Sequence, residues 1–124
     1  MNNDPLSGRK TFFVLGVQGS GTTWTGSLVD ANPRAICLNE PSTFHTLILP
    51  MMRFQNARNK NLEETGQSEF SIQQQTVADL SRTLFAGLFR NHDLTEVDLL
   101  GEKTPENTVG LQHIDRVFPG SQYI

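Results

Sequence analysis

Apolar and polar positions fall into short blocks along this chain, and their period changes from block to block. Residues 11–17 read Thr-Phe-Phe-Val-Leu-Gly-Val, a continuous apolar run after a polar leader, which predicts a parallel strand buried on both faces. Residues 18–21 form a small, flexible turn, and residues 22–31 then carry Trp24, Leu28 and Val29 at helical spacing until Asn32-Pro33 interrupts them. A second apolar run, 35–38, ends at Asn39-Glu40-Pro41, where the proline stops a ladder. The opening is thus a βαβ unit. Residues 44–54 are apolar and predict a helix or the wall of a binding site, whereas residues 55–69, rich in Asn, Lys and Glu, predict a surface loop. Ser71-Ile-Gln-Gln74 has the form of a capping box, and Val77, Leu80, Leu84, Phe85 and Leu88 then repeat on one helical face until Asn91. Residues 97–100 predict a short strand running into the polar segment Gly101-Glu-Lys-Thr-Pro-Glu-Asn107. Residues 108–118 predict a last helix with Leu111, Ile114, Val117 and Phe118 inward, stopped by Pro119-Gly120, and residues 121–124 begin another strand.

Composition bounds this picture without adding chemistry. With 124 residues, 36% hydrophobic and 19% charged, the chain has apolar material for one domain, a polar leader over 1–10 and an α/β unit over 11–124. A formal net charge of -3 excludes a global basic surface, so nucleic acid is not expected as a partner. The apolar stretch around Phe44 to Met52 is short and broken by Pro50, which excludes a membrane span there. The leader lacks the apolar core of a secretory signal, and the lone Cys37 has no intramolecular partner, so a cytoplasmic location is expected.

The chemistry is concentrated in the first turn. Gly16, Gly21, Thr22 and Thr23 fit the frame G-x-x-x-x-G-x-[ST], the Walker A frame with Thr22 in the lysine position. A strand feeding a glycine-rich turn and then a helix presents backbone N–H groups and the positive end of the helix dipole to an anion, so phosphate is the expected ligand. The hydroxyls of Ser20, Thr22 and Thr23 add donors, and the Trp24 indole packs near the nucleotide or anchors the helix. Without the Walker lysine, polarising a magnesium-bound triphosphate is less plausible than binding another phosphorylated donor.

Gln18-Gly-Ser-Gly-Thr-Thr-Trp24 resembles the donor loop of the sulfotransferase superfamily, which commonly reads Pro-Lys-Ser-Gly-Thr-Thr-Trp between the first strand and first helix. The resemblance implies a P-loop NTPase-like three-layer α/β sandwich with a parallel sheet. It implies that Gln18, Gly19, Ser20, Gly21, Thr22, Thr23 and Trp24 hold the 5′-phosphosulfate end of PAPS (3′-phosphoadenosine-5′-phosphosulfate), with no obligatory metal. Glu40, after the second strand, corresponds to the glutamate that removes the acceptor's proton in many glycan- and protein-modifying members. Lys103, in Glu-Lys-Thr-Pro105, corresponds to the lysine near the transferred group; a histidine base that follows this pair in cytosolic members is Pro105 here, which favours Glu40 as the base. Gly19 stands where the family carries a basic residue, so loop charge is lost unless Lys103 supplies it.

The resemblance covers the N-terminal portion of a typical member. The Arg-Asp-Pro segment that binds the donor's 3′-phosphate is absent, which leads to the expectation of a truncated sandwich whose exposed sheet edge favours self-association. The acceptor expected is a small molecule, a glycan or a protein. A P-loop nucleotide kinase or NTPase and a non-catalytic nucleotide-binding fragment are the alternatives. His45, beside Phe44 and Leu47, reads as a packed side chain, His92 as a residue at a helix C-terminus, where positive charge is favourable, His113 as a helix-flank residue, and Cys37 as buried core.

Overall fold

A computed structural model describes residues 4–124; the first three residues of the polar leader lie outside the described residues. Its elements are β1 (Lys10–Val14), α1 (Thr22–Asp30), β2 (Ala35–Asn39), α2 (Leu49–Glu64), α3 (Gln74–Gly87), β3 (Leu99–Lys103), α4 (Leu111–Val117) and β4 (Gln122–Tyr123). The strands pair in parallel in the order β2-β3-β1-β4. Period two along β1 and β2 divides the apolar side chains between two faces. Phe12, Val14, Ala35 and Cys37 pack toward α1 with Val29, while Phe13, Ile36, Leu38 and Leu100 pack with α2, α3 and α4 around Phe44, Phe85, Phe89 and Phe118. The result is an α/β three-layer fold with an all-parallel sheet, as the βαβ opening predicts.

Several elements depart from the pattern-based reading. The polar residues Gly101, Glu102 and Lys103 lie inside β3 rather than in a loop, because β3 is central and pairs with β1 and β2 along its whole length. Residues 55–64 are helical rather than a surface loop. They continue a π-helical turn, Phe44–Ile48, and Pro50 follows it in the first turn of α2, where a missing N–H and the widened preceding turn cost the helix little. Ser71 is not a cap: α3 begins at Gln74 with Gln73 extended as N-cap and no side-chain cap bond. The side chains of Gln55 and Asn59 hold Ile72 by its backbone, which keeps that segment extended.

The helix faces differ too. Val77, Ser81, Phe85 and Ala86 are the buried stripe of α3, leaving Leu80 and Leu84 exposed. On α1 the buried residues are Thr22 and Gly26, and Trp24 and Leu28 face outward. A Cβ on Gly26 would lie 3.2 Å from Lys103 Cβ and 3.5 Å from Cys37 Sγ, so glycine lets this helix lie close on the sheet. The last helix is shorter than 108–118: residues 105–108 form a 3₁₀ turn and Leu111 is exposed. Among the described residues, no helix is long and apolar enough to cross a membrane.

Candidate active site

The register sets Val14, Asn39 and Lys103 side by side, so the segments that follow β1, β2 and β3 emerge together at the carboxyl end of the sheet. Open parallel sheets bind their ligands at this end. The segment after β1 turns on Gly16, Gly19 and Gly21, with φ of 151°, 85° and 91°. At Gly16 the space is closed as well, since a Cβ would lie 2.6 Å from Thr22 Cγ2 and 2.7 Å from Ser20 Oγ. Among the described residues, the amides of Gln18, Gly19, Gly21, Thr22 and Thr23 have no hydrogen-bond partner. The first turn of α1 carries no acidic residue and no side-chain cap, so nothing neutralises its positive end.

The loop side chains divide unevenly. Ser20 Oγ donates to Val17 O at 2.6 Å, so its proton is already used within the loop. Thr22 is buried beneath Gly16. Thr23 Oγ1 accepts from Lys103 Nζ at 2.9 Å, which leaves its own hydrogen free for a ligand. Gln18 and Gly19 are exposed, and Trp24 is 69% exposed on the outside of α1, so it does not anchor that helix.

Lys103 closes β3, and its side chain is only 1% exposed. Its stem passes beneath Gly26, and its ammonium donates to Glu40 Oε1 at 2.6 Å as well as to Thr23. Glu40 is tied to the sheet by its own amide, which donates to Lys103 O at 2.7 Å. The chain then turns sharply: Glu40 and Ser42 have φ of 52° and 53°, a left-handed conformation that is costly for residues with a β-carbon. The Glu40 side chain is 49% exposed, and among the described residues one carboxylate oxygen has no partner. A cleft lined by Thr23, Gly26, Cys37, Asn39 and Lys103 lies beside the pair.

Two more groups flank this arrangement from β3 and its exit. Glu102 is fully buried on the opposite face of the sheet and accepts from Asn107 Nδ2 at 2.6 Å. Burial pushes its carboxyl up to about 7 against the smaller opposing effect of the Asn107 bond. Thr108 reaches Gly16, whose amide donates to Thr108 Oγ1 at 2.8 Å while the Thr108 hydroxyl donates to Gly16 O at 3.1 Å. Sequence reading misses Thr108 because it lies far from Gly16 along the chain. Gly26 carried a signal, a glycine inside a helical pattern.

The remaining candidates stand apart. Cys37 is buried, and burial, with Asp30 adding to it, pushes its thiol up to about 11, which suits packing rather than nucleophilic chemistry. His45 and Leu47 are exposed rather than packed. His92 is exposed beyond α3, with its ring 6.1 Å from that of Phe89. His113 is partly buried in α4, where its Nδ1 has no partner among the described residues.

A strand, a glycine loop with amides that have no partner among the described residues, a helix start and a buried lysine on the neighbouring strand meet at the carboxyl end of the sheet. A family model described as "Sulfotransferase family" matches residues 11–124. The chain belongs to the sulfotransferase family. No curated protein matches it. For a sulfotransferase-family chain, the matched span holds the glycine loop, Glu40 and Lys103 together.

Proposed function

We propose that this chain takes PAPS as donor and transfers its sulfuryl group to a hydroxyl or amine acceptor. The observation that carries the reading is the linkage of Thr23, Lys103 and Glu40 beside five loop amides that have no partner among the described residues. The amides of Gln18, Gly19, Gly21, Thr22 and Thr23, with the N-terminus of α1, receive the oxygens of the donor's 5′-phosphate. Lys103 sets its charge against the sulfuryl oxygens and the bridging oxygen as the group moves, which supplies from β3 the charge missing at Gly19. Glu40 takes the acceptor's proton as the acceptor oxygen or nitrogen bonds to sulfur. The bond from sulfur to the bridging oxygen breaks, and 3′-phosphoadenosine-5′-phosphate (PAP) leaves with that electron pair.

One contact weighs against a magnesium-dependent NTPase. In that class the loop hydroxyl at the position of Thr23 binds Mg²⁺, and a lysine stands at the position of Thr22. Here the Thr23 hydroxyl is engaged by the Lys103 ammonium, so a protein cation is already present at the metal-binding hydroxyl. Calorimetry with PAP and with Mg-ATP tests the reading. Tighter binding of PAP is expected; tighter binding of Mg-ATP, or binding of neither, overturns it.

A further inference from the structure

We propose that Thr108 is a positioning residue for the glycine loop, holding its amides in the orientation that receives the donor's phosphate. This rests on the reading above that the loop takes PAPS. The hydroxyl of Thr108 serves both polar groups of one residue, accepting from Gly16 N at 2.8 Å and donating to Gly16 O at 3.1 Å. A hydroxyl is the small side-chain group that can do both at once. Gly16 has left the β1 ladder, so its amide and carbonyl need partners from elsewhere.

The mechanical consequence follows from peptide geometry. Carbonyl and N–H point in opposite directions across a trans peptide. With Gly16 O drawn toward Thr108, the N–H of Val17 is turned to the far side, and the path into Gln18 and Gly19 starts from a fixed plane. That fixing matters because Gly16, Gly19 and Gly21 all adopt positive φ, and glycine chains lose more freedom on ordering than others do. Among the described residues, the other hydrogen bonds made by Gly16, Val17 and Ser20 are local ones, from Ser20 N and Ser20 Oγ to Val17 O.

The clasp is itself held. Thr108 ends the 3₁₀ turn Pro105–Thr108, which is pinned by Asn107 N donating to Thr104 O at 3.0 Å and by the buried bond from Asn107 Nδ2 to Glu102 Oε1. Glu102 neighbours Lys103 on β3. One strand therefore sets the ammonium on one face and, through Asn107 and Thr108, the glycine loop from the other.

Thr108→Val keeps the branched shape and removes both bonds; Thr108→Ser keeps the hydroxyl. Calorimetry with PAP is expected to show affinity reduced about tenfold in T108V, in line with two modest hydrogen bonds lost, and within about twofold of the parent in T108S. Hydrogen exchange without ligand is expected to quicken in T108V at Ser20, whose amide is bonded to Val17 O within the loop, and to stay unchanged in α3 and β3. Equal PAP affinity and equal loop exchange in T108V and the parent overturn the proposal, as does failure of T108S to restore them. If the parent itself does not bind PAP, the sulfuryl-transfer reading falls, and loop exchange alone still decides whether Thr108 orders the loop. If T108V does not fold, T108A takes its place; unfolding of both overturns the positioning role in favour of a purely structural one.

Discussion

A lysine whose side chain is 1% exposed needs its charge compensated, since an unpaired buried ammonium costs several kcal/mol. Among the described residues Lys103 meets that need with Glu40 and Thr23, which ties its position to the two groups it would serve in the proposed mechanism. Lys103→Met keeps the buried stem and removes the charge, while Glu40, half exposed, regains water. Folding stability is expected to change little, and turnover to fall roughly 100-fold or more, as steady-state kinetics beside a thermal melt would show. On the proposed mechanism, Glu40→Gln is expected to cut kcat by a similar factor of about 100 while leaving PAP affinity within a few-fold, because a base at Glu40 would act on the acceptor rather than the donor. Glu102 makes a separate prediction through proton linkage. Its ordinary value is 4.5 and burial raises it to about 7 in the folded chain, so below 4.5 both states are protonated and nothing is lost. As pH rises from 4.5 toward 7, the unfolded chain releases the proton and the folded chain keeps it, so stability falls, by on the order of 3 kcal/mol once pH passes 7. Among the described residues the buried Glu102 Oε2 has no hydrogen-bond partner, which fits a carboxyl that keeps its proton. Denaturation across pH 5 to 8 is expected to show this decline in the parent and to lose it in Glu102→Gln.

At the level of elements, the errors of sequence reading share a cause: period and polarity reveal an element's type better than the surface it meets. Helical spacing in α1 singles out Trp24, Leu28 and Val29, yet Thr22 and Gly26 are its buried residues, with Gly26 close over the stem of Lys103 and the thiol of Cys37. The polar run 55–64 lacks an apolar face, and α2 is sustained there by continuation from a packed first half and by side chains that bind a neighbouring segment. Asn59 is the centre of that support. It donates to Ile72 O at 2.7 Å and accepts from Ile72 N at 2.9 Å, fixing the extended approach to α3. Asn59→Ala is expected to cost about 1–2 kcal/mol. Urea denaturation should show a lower midpoint with an unchanged slope, and hydrogen exchange should quicken between residues 67 and 73 more than in the sheet.

Across the whole molecule, the glycine loop and the βαβ opening were legible because they are local: strand, turn and helix follow one another within 20 or so residues. The central place of β3 was not legible, since Gly101-Glu-Lys103 reads as polar loop until two flanking strands supply its ladder. Nor was the clasp of Thr108 on Gly16, which exists only once β3 lies beside β1. That adjacency rests on Gly101. It pairs with Phe12 in the register, and the Phe12 ring lies across the space a side chain would fill: an added Cβ would overlap the Phe12 carbonyl oxygen and sit 2.6 Å from ring Cγ and Cδ1. Relief requires β1 and β3 to part, because the carbonyl belongs to the ladder itself and not to a side chain that can swing away. Gly101→Ala is therefore expected to lose on the order of 3 kcal/mol or more, and to displace the loop after β1 from Lys103, so that PAP affinity falls even in the fraction that remains folded. Gly87 provides the contrast, at the end of α3 with nothing within 4 Å of a new Cβ and no positive φ. There the same substitution restricts the unfolded chain and strains nothing, so Gly87→Ala is expected to add about 0.5–1 kcal/mol. Equilibrium denaturation of the two variants should thus give shifts of opposite sign, and equal shifts would show that β1 and β3 tolerate a side chain between them.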